Sequence, residues 1–144
     1  MSPPARDDPY KAFNFLVEID GIAVAAFSEV SGLVSETDVI EYRAGGKTNT
    51  LRKLPGLTKY ANLVLRRGVT QDAELWNWRK TVEQGTVDRR NGSIVLLDDD
   101  RSPVVRWNFL NGWIAKWVGP DLNAKGNDVA IETIEIAHEG LTRD

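Results

Sequence analysis

The chain of 144 residues contains no cysteine and a single histidine, His138. Without cysteine it forms no disulfide and offers no thiolate for catalysis or for zinc. One histidine leaves no histidine pair for a metal and no second imidazole to act as a general base. Most familiar catalytic constellations are therefore excluded, and we expect a protein with no catalytic residue, no metal and no cofactor.

The chain also lacks long hydrophobic runs and a strong net charge. Its 18 Lys and Arg stand against 21 Asp and Glu, a formal net charge of −3, which disfavours a protein held on nucleic acid or on an anionic membrane by bulk electrostatics. No apolar stretch is long enough to span a bilayer, and residues 1–8 lack the apolar segment of a secretory signal. We expect a protein made in the cytoplasm, without a membrane anchor.

What is present is the composition of one ordinary globular domain, 42% hydrophobic with 12 Gly. Residues 1–9 hold three prolines and no apolar periodicity, so they are predicted to form an N-terminal arm that orders only when something holds it. The domain proper is predicted to span residues 10–144.

Alternating apolar residues predict a mainly β fold. The predicted strands cover residues 13–19, 22–27, 37–43, 60–67, 93–97, 105–110, 113–117 and 128–139. Asp20-Gly21 predicts a type I′ turn joining the first two. In the last strand the apolar phase changes between Ile131 and Ile134, which predicts a bulge or a barrel corner there. The predicted fold is a β-sandwich or small barrel with one flanking helix.

One helix is predicted over residues 72–84, with Thr70 or Asp72 as its cap and Gly85 as its stop. Its apolar stripe is interpreted as core packing rather than as a ligand site. The predicted core residues, on this stripe and on the strands, are Phe13, Phe15, Leu75, Trp78, Val82, Trp107 and Phe109.

Two groups of polar residues have side chains suited to metal binding or acid-base chemistry, but neither has the pattern that such a site requires. Asp98-Asp99-Asp100 has the residue type of a Ca²⁺ or Mg²⁺ site, but no central Gly and distal Glu follow it, so a solvated hairpin turn is favoured. His138 lies near Glu135 and Glu139, yet no nucleophile signature accompanies them, and Glu139 points away from His138 on a strand.

Charge is segregated along the chain. Residues 42–71 contain no acid, whereas residues 73–144 carry more acids than bases. The basic residues of this stretch are Arg43, Lys47, Arg52, Lys53, Lys59, Arg66 and Arg67. A nucleic-acid surface with stacking Trp is one reading of such basic residues, but the Trp residues fall on apolar phases. Complementary surfaces also allow copies of one chain to bind head to tail, by contacts that make rings or filaments.

Short motifs spread over almost the whole chain resemble one family, in number, order and spacing. They are Asp8-Pro9-Tyr10, Phe13-Asn14-Phe15, residues 27–33 (FSEVSGL), residues 41–46 (EYRAGG), Lys53-Leu54-Pro55-Gly56, Leu65-Arg66-Arg67-Gly68, Leu75-Trp76-Asn77-Trp78, Arg106-Trp107-Asn108-Phe109 and residues 130–141 (AIETIEIAHEGL). The chain thus resembles the tail tube proteins of contractile phage tails and the inner tube proteins of related extracellular contractile injection systems.

The resemblance implies a structural subunit, not an enzyme. Such subunits form hexameric rings whose strands join into one continuous barrel, and the rings stack into a tube inside a contractile sheath. Implied partners are further copies of the chain, the sheath, baseplate or hub and terminator proteins, and a lumen cargo of DNA or protein effector. The alternatives are a tube-initiating or hub-adaptor ring of the same machine and, from other classes, a monomeric ligand-binding β-barrel or a small β-rich hydrolase.

In such an assembly the long basic loop, residues 45–56, is expected to reach a neighbouring subunit or ring, because loops of this length usually have a function. The predicted interface residues are Arg43, Lys47, Thr48, Asn49, Leu51, Arg52, Lys53 and Leu54. Glu41 and Asn62 are expected to face the lumen, since a wall that lets cargo slide past should be small and polar.

Overall fold

The computed structural model describes residues 14–22, 26–43, 45–46 and 49–144. Phe13, Lys47, Thr48 and the predicted arm, residues 1–9, lie outside the described residues. The described residues form nine strands and one helix. The elements in chain order are β1 Phe15–Ile19, β2 Glu29–Ser31, β3 Ser35–Tyr42, β4 Arg52–Tyr60, β5 Leu63–Gly68, α1 Glu74–Glu83, β6 Arg90–Leu97, β7 Pro103–Val118, β8 Ile131–Ala137 and β9 Gly140–Arg143.

One long strand, β7, joins two antiparallel sheet regions. Its first part pairs with β6 on one side and with β9 on the other, and β1 pairs with the far edge of β6. Its second part pairs with β8, which pairs with β5, which pairs with β2. The prediction of a mainly β fold with one helix is confirmed.

The change of face lies in β7, not in the last strand. Phe109 and Ile114 are both buried although they are five positions apart, whereas side chains on the same face of a regular strand are an even number of positions apart. The register against β6 also shifts between Arg90 and Gly92. Asn111 has a left-handed φ of 54° at this point. The bulge turns the strand from one sheet region into the other, so the predicted separate strand over residues 113–117 is wrong.

The C-terminal strand prediction also needs correction. Residues 128–139 are not one strand, because the chain turns after Ala137 and returns as β9 along β7. Val129 precedes β8 and is 74% exposed, which removes the apolar residue that suggested a phase change.

The chain turns at Asp20-Gly21 as predicted, with the N–H of Ile22 donating to the main-chain oxygen of Ile19 at 3.0 Å, but the turn is not of type I′. Gly21 has a φ of 75°, but Asp20 does not adopt the left-handed conformation that a type I′ turn requires at both positions. Ile22 forms only an isolated bridge with Ile19, and the strand partner of β1 is β6. Residues 23–25 of the predicted second strand lie outside the described residues.

The core lies between the two sheet regions and the helix. Leu75, Trp78 and Phe109 are buried in it, while Phe15 and Trp107 are partly buried and pack against it. Val82 lies one turn beyond Trp78 and is only half-buried, so its placement in the core is wrong. The remaining buried members of the cluster are Val17, Ile19, Leu63, Leu65, Ile94, Ile114, Ile134 and Ile136.

Helix α1 begins and ends close to the predicted bounds. The cap position is Ala73, and the carboxylate of Asp72 accepts the main-chain N–H of Glu74 at 3.0 Å. Gly85, with a φ of 82°, follows the last helical turn as predicted. The indole N–H of Trp78 donates to the main-chain oxygen of Asp88 at 2.6 Å, which fixes the helix against the chain that leads into β6.

Candidate assembly surface

The β3–β4 hairpin stands apart from the rest of the fold. Its two strands pair with each other and with no other described strand. Nearly every residue of both strands is exposed. The predicted loop over residues 45–56 is therefore wrong in its second half, because Arg52 to Gly56 belong to β4. Gly and Pro had suggested a loop, but Pro55 is compatible with a strand whose outer edge is unpaired.

Both faces of this hairpin carry apolar side chains. Ile40 lies opposite Leu54 on one face, and Val39 lies opposite Pro55 on the other. The exposed fractions are 52% for Ile40 and 62% for Val39, and Leu57 reaches 80%. An antiparallel strand that borders the core commonly buries one face and exposes the other to solvent. Both faces of this hairpin are exposed in the described part of the chain.

The base of the hairpin is held by polar contacts. The hydroxyl groups of Thr37 and Thr58 lie 2.9 Å apart, and Lys59 Nζ lies 3.3 Å from Asp38 Oδ1. The register shifts between Thr37 and Val39. A Cβ at Gly56 would lie 3.2 Å from the main-chain oxygen of Asp38, so glycine suits this close approach. The hairpin is thus an ordered arm rather than a loose loop.

The basic stretch divides into two groups in the structure. Three of its residues pair within the subunit: Lys59 with Asp38, Arg66 with Glu29 at 3.7 Å, and Arg67 with Glu132 at 2.7 Å. The others with described positions, Arg43, Arg52 and Lys53, are exposed and form no ion pair within the described part of the chain. The charge available to a partner is therefore concentrated at the far end of the hairpin.

The other predicted interface and lumen residues are also at the surface. Asn49, Leu51 and Leu54 are exposed at or near the hairpin end. Glu41 lies opposite Lys53 in β3. Asn62 is exposed between β4 and β5, and its amide donates to Glu135 Oε1 at 3.5 Å.

Sequence reasoning missed the buried partner pair, Arg67 and Glu132. Arg67 is 1% exposed and Glu132 is 6% exposed. Strand alternation could have predicted that Arg67 is buried, because Arg67 shares the strand phase of Leu63 and Leu65, which face the core. In β8, Glu132 shares the phase of Ile134 in the same way.

The acidic turn is organised by its own hydrogen bonds. Asp98 receives the N–H of Arg101 on its main-chain oxygen at 2.8 Å. The N–H of Ser102 donates to Asp100 Oδ1 at 3.0 Å, and this hydrogen bond lowers the pKa of the Asp100 carboxyl. Across the described ranges, no group of three or more His, Asp and Glu side chains has an arrangement suited to a metal.

The His138 side chain makes contacts that connect two parts of the fold. Its two ring nitrogens lie 3.0 Å from the main-chain oxygen of Gly140 and 3.1 Å from that of Ala61. Its ring centroid lies 5.5 Å from that of Tyr60. The imidazole thus joins the turn after β8 to the start of β5, where it contacts main chain rather than Glu135 or Glu139.

None of the helical structure in the described part of the chain combines the length and the apolar character that a bilayer-spanning helix needs.

Several solved structures share this arrangement of strands and helix. A chain of the PVC sheath-tube complex in the extended state, from an extracellular contractile injection system, is 27% identical, with a TM-score of 0.86 and coverage of 96% of this chain and 93% of that one. A chain of the anti-feeding prophage cap, described as the AFP tube terminating cap, is 26% identical, with a TM-score of 0.88 and coverage of 99% and 95%. Hcp1 from Flavobacterium johnsoniae, 16% identical with a TM-score of 0.55 over 91% and 94% of the two chains, shares the fold.

No curated protein matches the chain by sequence. The family model described as T4-like virus tail tube protein gp19 matches residues 11–142, nearly the full length. The family match and the structural likeness point to the same kind of protein. The chain therefore belongs to the T4-like virus tail tube protein gp19 family, and its role is that of a tube subunit.

Proposed function

We propose that this chain is the repeating subunit of an inner tube, built from stacked hexameric rings, and that it acts by assembly rather than by catalysis. The observation that carries the proposal is the β3–β4 hairpin, exposed and apolar on both faces. A two-stranded hairpin alone is marginally stable in water. Its order in the assembled protein would come from neighbouring copies that cover both faces.

Burial of the exposed apolar side chains between copies would stabilise the assembly. Covering one Leu, Ile or Val side chain contributes about 1.5 to 3 kcal/mol when it goes from fully exposed to fully buried. Val39, Ile40, Leu54 and Leu57 are exposed by 38% to 80%. A ring repeats this contribution at every subunit, so modest contacts add up along the tube.

The sheet edges support the same proposal. Within the described residues, β1 and β2 stand at the two ends of the strand order and each pairs on one side only. Unpaired edges are templates for pairing with another chain. In a ring, the edge of one subunit would pair with the edge of the next, which would close the strands into one continuous barrel around a lumen.

The proposed inner wall carries Glu41 and Asn62. Both are exposed, whereas Trp78 is buried and Trp107 packs against the core. A lumen lined by small and polar groups would let DNA or a protein effector pass without aromatic stacking, which is worth about 1 to 3 kcal/mol per base.

The matched structures name the proposed partners. They include a sheath-tube complex, a baseplate and a tube terminating cap. By analogy, we place the tube made by this chain inside a contractile sheath, between a baseplate and a terminator, in a phage tail or an extracellular injection particle assembled after synthesis in the bacterial cytoplasm.

Negative-stain microscopy of the purified protein, with sedimentation over a range of concentrations, tests the proposal. Rings that stack into tubes are expected. Single rings that never stack would instead identify a tube-initiating or adaptor ring, and uniformly small particles at every concentration would contradict self-assembly.

A further inference from the structure

The β3–β4 hairpin continues a strand pair that begins in the body of the subunit, the two sheet regions with α1. Strand β2 pairs with β5 and leads into β3, while β4 leads into β5, so the two pairs form one ribbon. Ser31 is opposite Val64 in the last pair of the body, and Ser35 is opposite Tyr60 in the first pair of the hairpin. Three residues intervene on each strand. The junction is therefore a kink in a ribbon whose register is unchanged.

The first strand of the ribbon is bent by its own main chain at Gly32. This residue has a left-handed φ of 92°, and the N–H of Val34 donates back to its main-chain oxygen at 2.8 Å. Such a three-residue turn is common where a strand ends. A Cβ at Gly32 would clash with the main-chain oxygen of Asn62 on the opposite strand. Glycine therefore suits both the conformation and the close approach of the two strands.

The second strand lacks a main-chain partner at the same point. The N–H of Ala61 donates to the main-chain oxygen of Val34 at 3.4 Å. In a regular pair of this type, the N–H of Val34 would donate in return to the oxygen of Ala61, but it donates to Gly32. Nε2 of His138 lies 3.1 Å from the oxygen of Ala61. A side chain from the turn after β8 thus takes the place of a hydrogen bond between the strands.

Both strands are anchored to the body at the kink. Leu33, on the first strand, packs against the core. His138, which holds the second, has Nδ1 3.0 Å from the main-chain oxygen of Gly140 and its ring centroid 6.1 Å from that of the buried Phe109. On the hairpin side, its ring centroid lies 5.5 Å from that of Tyr60. The imidazole therefore joins the base of the hairpin to the body.

The direction of the hairpin depends on this base, because its strands pair with no other strand in the described ranges. The eight residues of β3 span roughly 26 Å at the usual rise. A rotation of about 10° at the base would thus move the far end by about 4 Å, given that length. Closing a ring requires the same geometry at every contact between copies. A hairpin that points in variable directions would close rings poorly.

We propose that the kink sets the direction in which the β3–β4 hairpin leaves the subunit, and that His138 is the positioning residue that holds this direction by donating from Nε2 to the main-chain oxygen of Ala61. This deepens the proposed function and rests on it, since neighbouring copies can cover the hairpin only when it points toward them.

Two substitutions separate the contact of His138 with the hairpin from its contact with the body. In His138→Gln, the amide nitrogen can reach the place of Nε2 and donate to Ala61. In His138→Asn, the shorter side chain puts the amide nitrogen near the place of Nδ1, where it can donate to Gly140 but not to Ala61. Both variants lose the ring contacts with Tyr60 and Phe109, so they form a matched pair.

The distance between two spin labels measures the direction of the hairpin. The natural chain has no cysteine, so labels are attached at Lys53→Cys on β4 and Thr142→Cys on β9, both at exposed positions. Labelled protein is diluted with excess unlabelled protein of the same type, so that distances within one subunit are measured. We expect one narrow distribution in the parent and in His138→Gln, and a broader or shifted distribution in His138→Asn.

Assembly is measured by sedimentation of the unlabelled proteins. The concentration needed for half-assembly should be about tenfold higher for His138→Asn than for His138→Gln. The reason is that the fraction of subunits with a correctly directed hairpin falls by roughly the factor that one hydrogen bond is worth. The melting temperatures of the two unassembled subunits should be similar, because each variant keeps one of the two hydrogen bonds.

Equal distance distributions in the two variants, or equal concentrations for half-assembly, would overturn the positioning role and leave the tube function standing. Loss of the folded subunit in both variants would also overturn it, because His138 would then hold the fold as a whole. If the parent never assembles, the tube proposal is contradicted, whereas the distance distributions still decide whether His138 sets the direction of the hairpin.

Discussion

Arg67 and Glu132 are directly opposite each other on β5 and β8 and form an ion pair at 2.7 Å in the interior of the subunit. The same cross-strand row continues with Leu65 opposite Ile134. A charged pair therefore takes a place in an otherwise apolar row. Breaking such a pair leaves one buried charge without its partner.

Replacing only one residue of the Arg67–Glu132 pair should destabilise the subunit strongly, whereas replacing both by apolar residues should not. Arg67→Met leaves Glu132 unpaired and is expected to lower the free energy of unfolding by about 3 to 5 kcal/mol. Arg67→Met combined with Glu132→Leu replaces the pair by apolar groups and should be close to neutral or stabilising. Urea unfolding of the two variants checks this, and equal losses in both would contradict the role of the pair.

Trp78→Ala should destabilise the subunit strongly. Trp78 is 2% exposed and its indole N–H bonds the main-chain oxygen of Asp88, so truncation leaves a large cavity and costs about 3 to 5 kcal/mol. Thermal unfolding of the purified variant, or its loss from the soluble fraction, is the measurement. Trp76→Ala is the matched control, because Trp76 is 42% exposed and should lose much less. Similar losses would show that the helix face is wrongly assigned.

Gly92→Ala should disturb the packing under Phe109. A Cβ at Gly92 would clash with Phe109 Cζ and would lie 2.6 Å from the main-chain oxygen of Glu18. Overpacking of this kind costs about 1 to 3 kcal/mol. Gly46→Ala, where a Cβ meets nothing within 4 Å, is the control. A melting temperature for Gly92→Ala equal to that of the control would mean that the ring moves freely.

Charge reversal at the hairpin end should block assembly without unfolding the subunit. Lys47→Glu, Arg52→Glu and Lys53→Glu together place acids where we propose that acidic partners meet bases. Each pair is worth only about 0.2 to 1 kcal/mol, but the ring repeats them. Arg89→Glu, Arg101→Glu and Arg143→Glu, all at exposed positions, match the change in charge. Tube yield by sedimentation should fall in the first variant only, and unchanged yield there would count against the hairpin.

The sequence predicts the main features of the fold because strand alternation and helix periodicity are local signals. Leu75 and Trp78 appear on one helical stripe, and β6 and β7 form the predicted hairpin. Gly85 ends the helix because a left-handed residue is needed there. These features depend on residues close in sequence.

The sequence-based predictions are wrong where contacts between residues distant in sequence determine the local structure. Residues 52–56 look like a loop by Gly and Pro content, yet strand pairing with β3 holds them extended. Arg67 looks like part of a basic surface, yet Glu132, 65 residues away, pairs with it in the interior. The sequence predicts a break between strands at Asn111, whereas the pairing of β7 with both β6 and β8 makes it a bulge within one strand.

A cryo-electron microscopy map of the tube assembled from this chain tests the central claim most directly. We predict rings of six subunits with both faces of the β3–β4 hairpin buried against other copies, Glu41 and Asn62 on the inner wall, and Trp78 and Trp107 away from it. Particles of single-subunit size, or a tube in which the hairpin projects into solvent on both faces, would contradict the account.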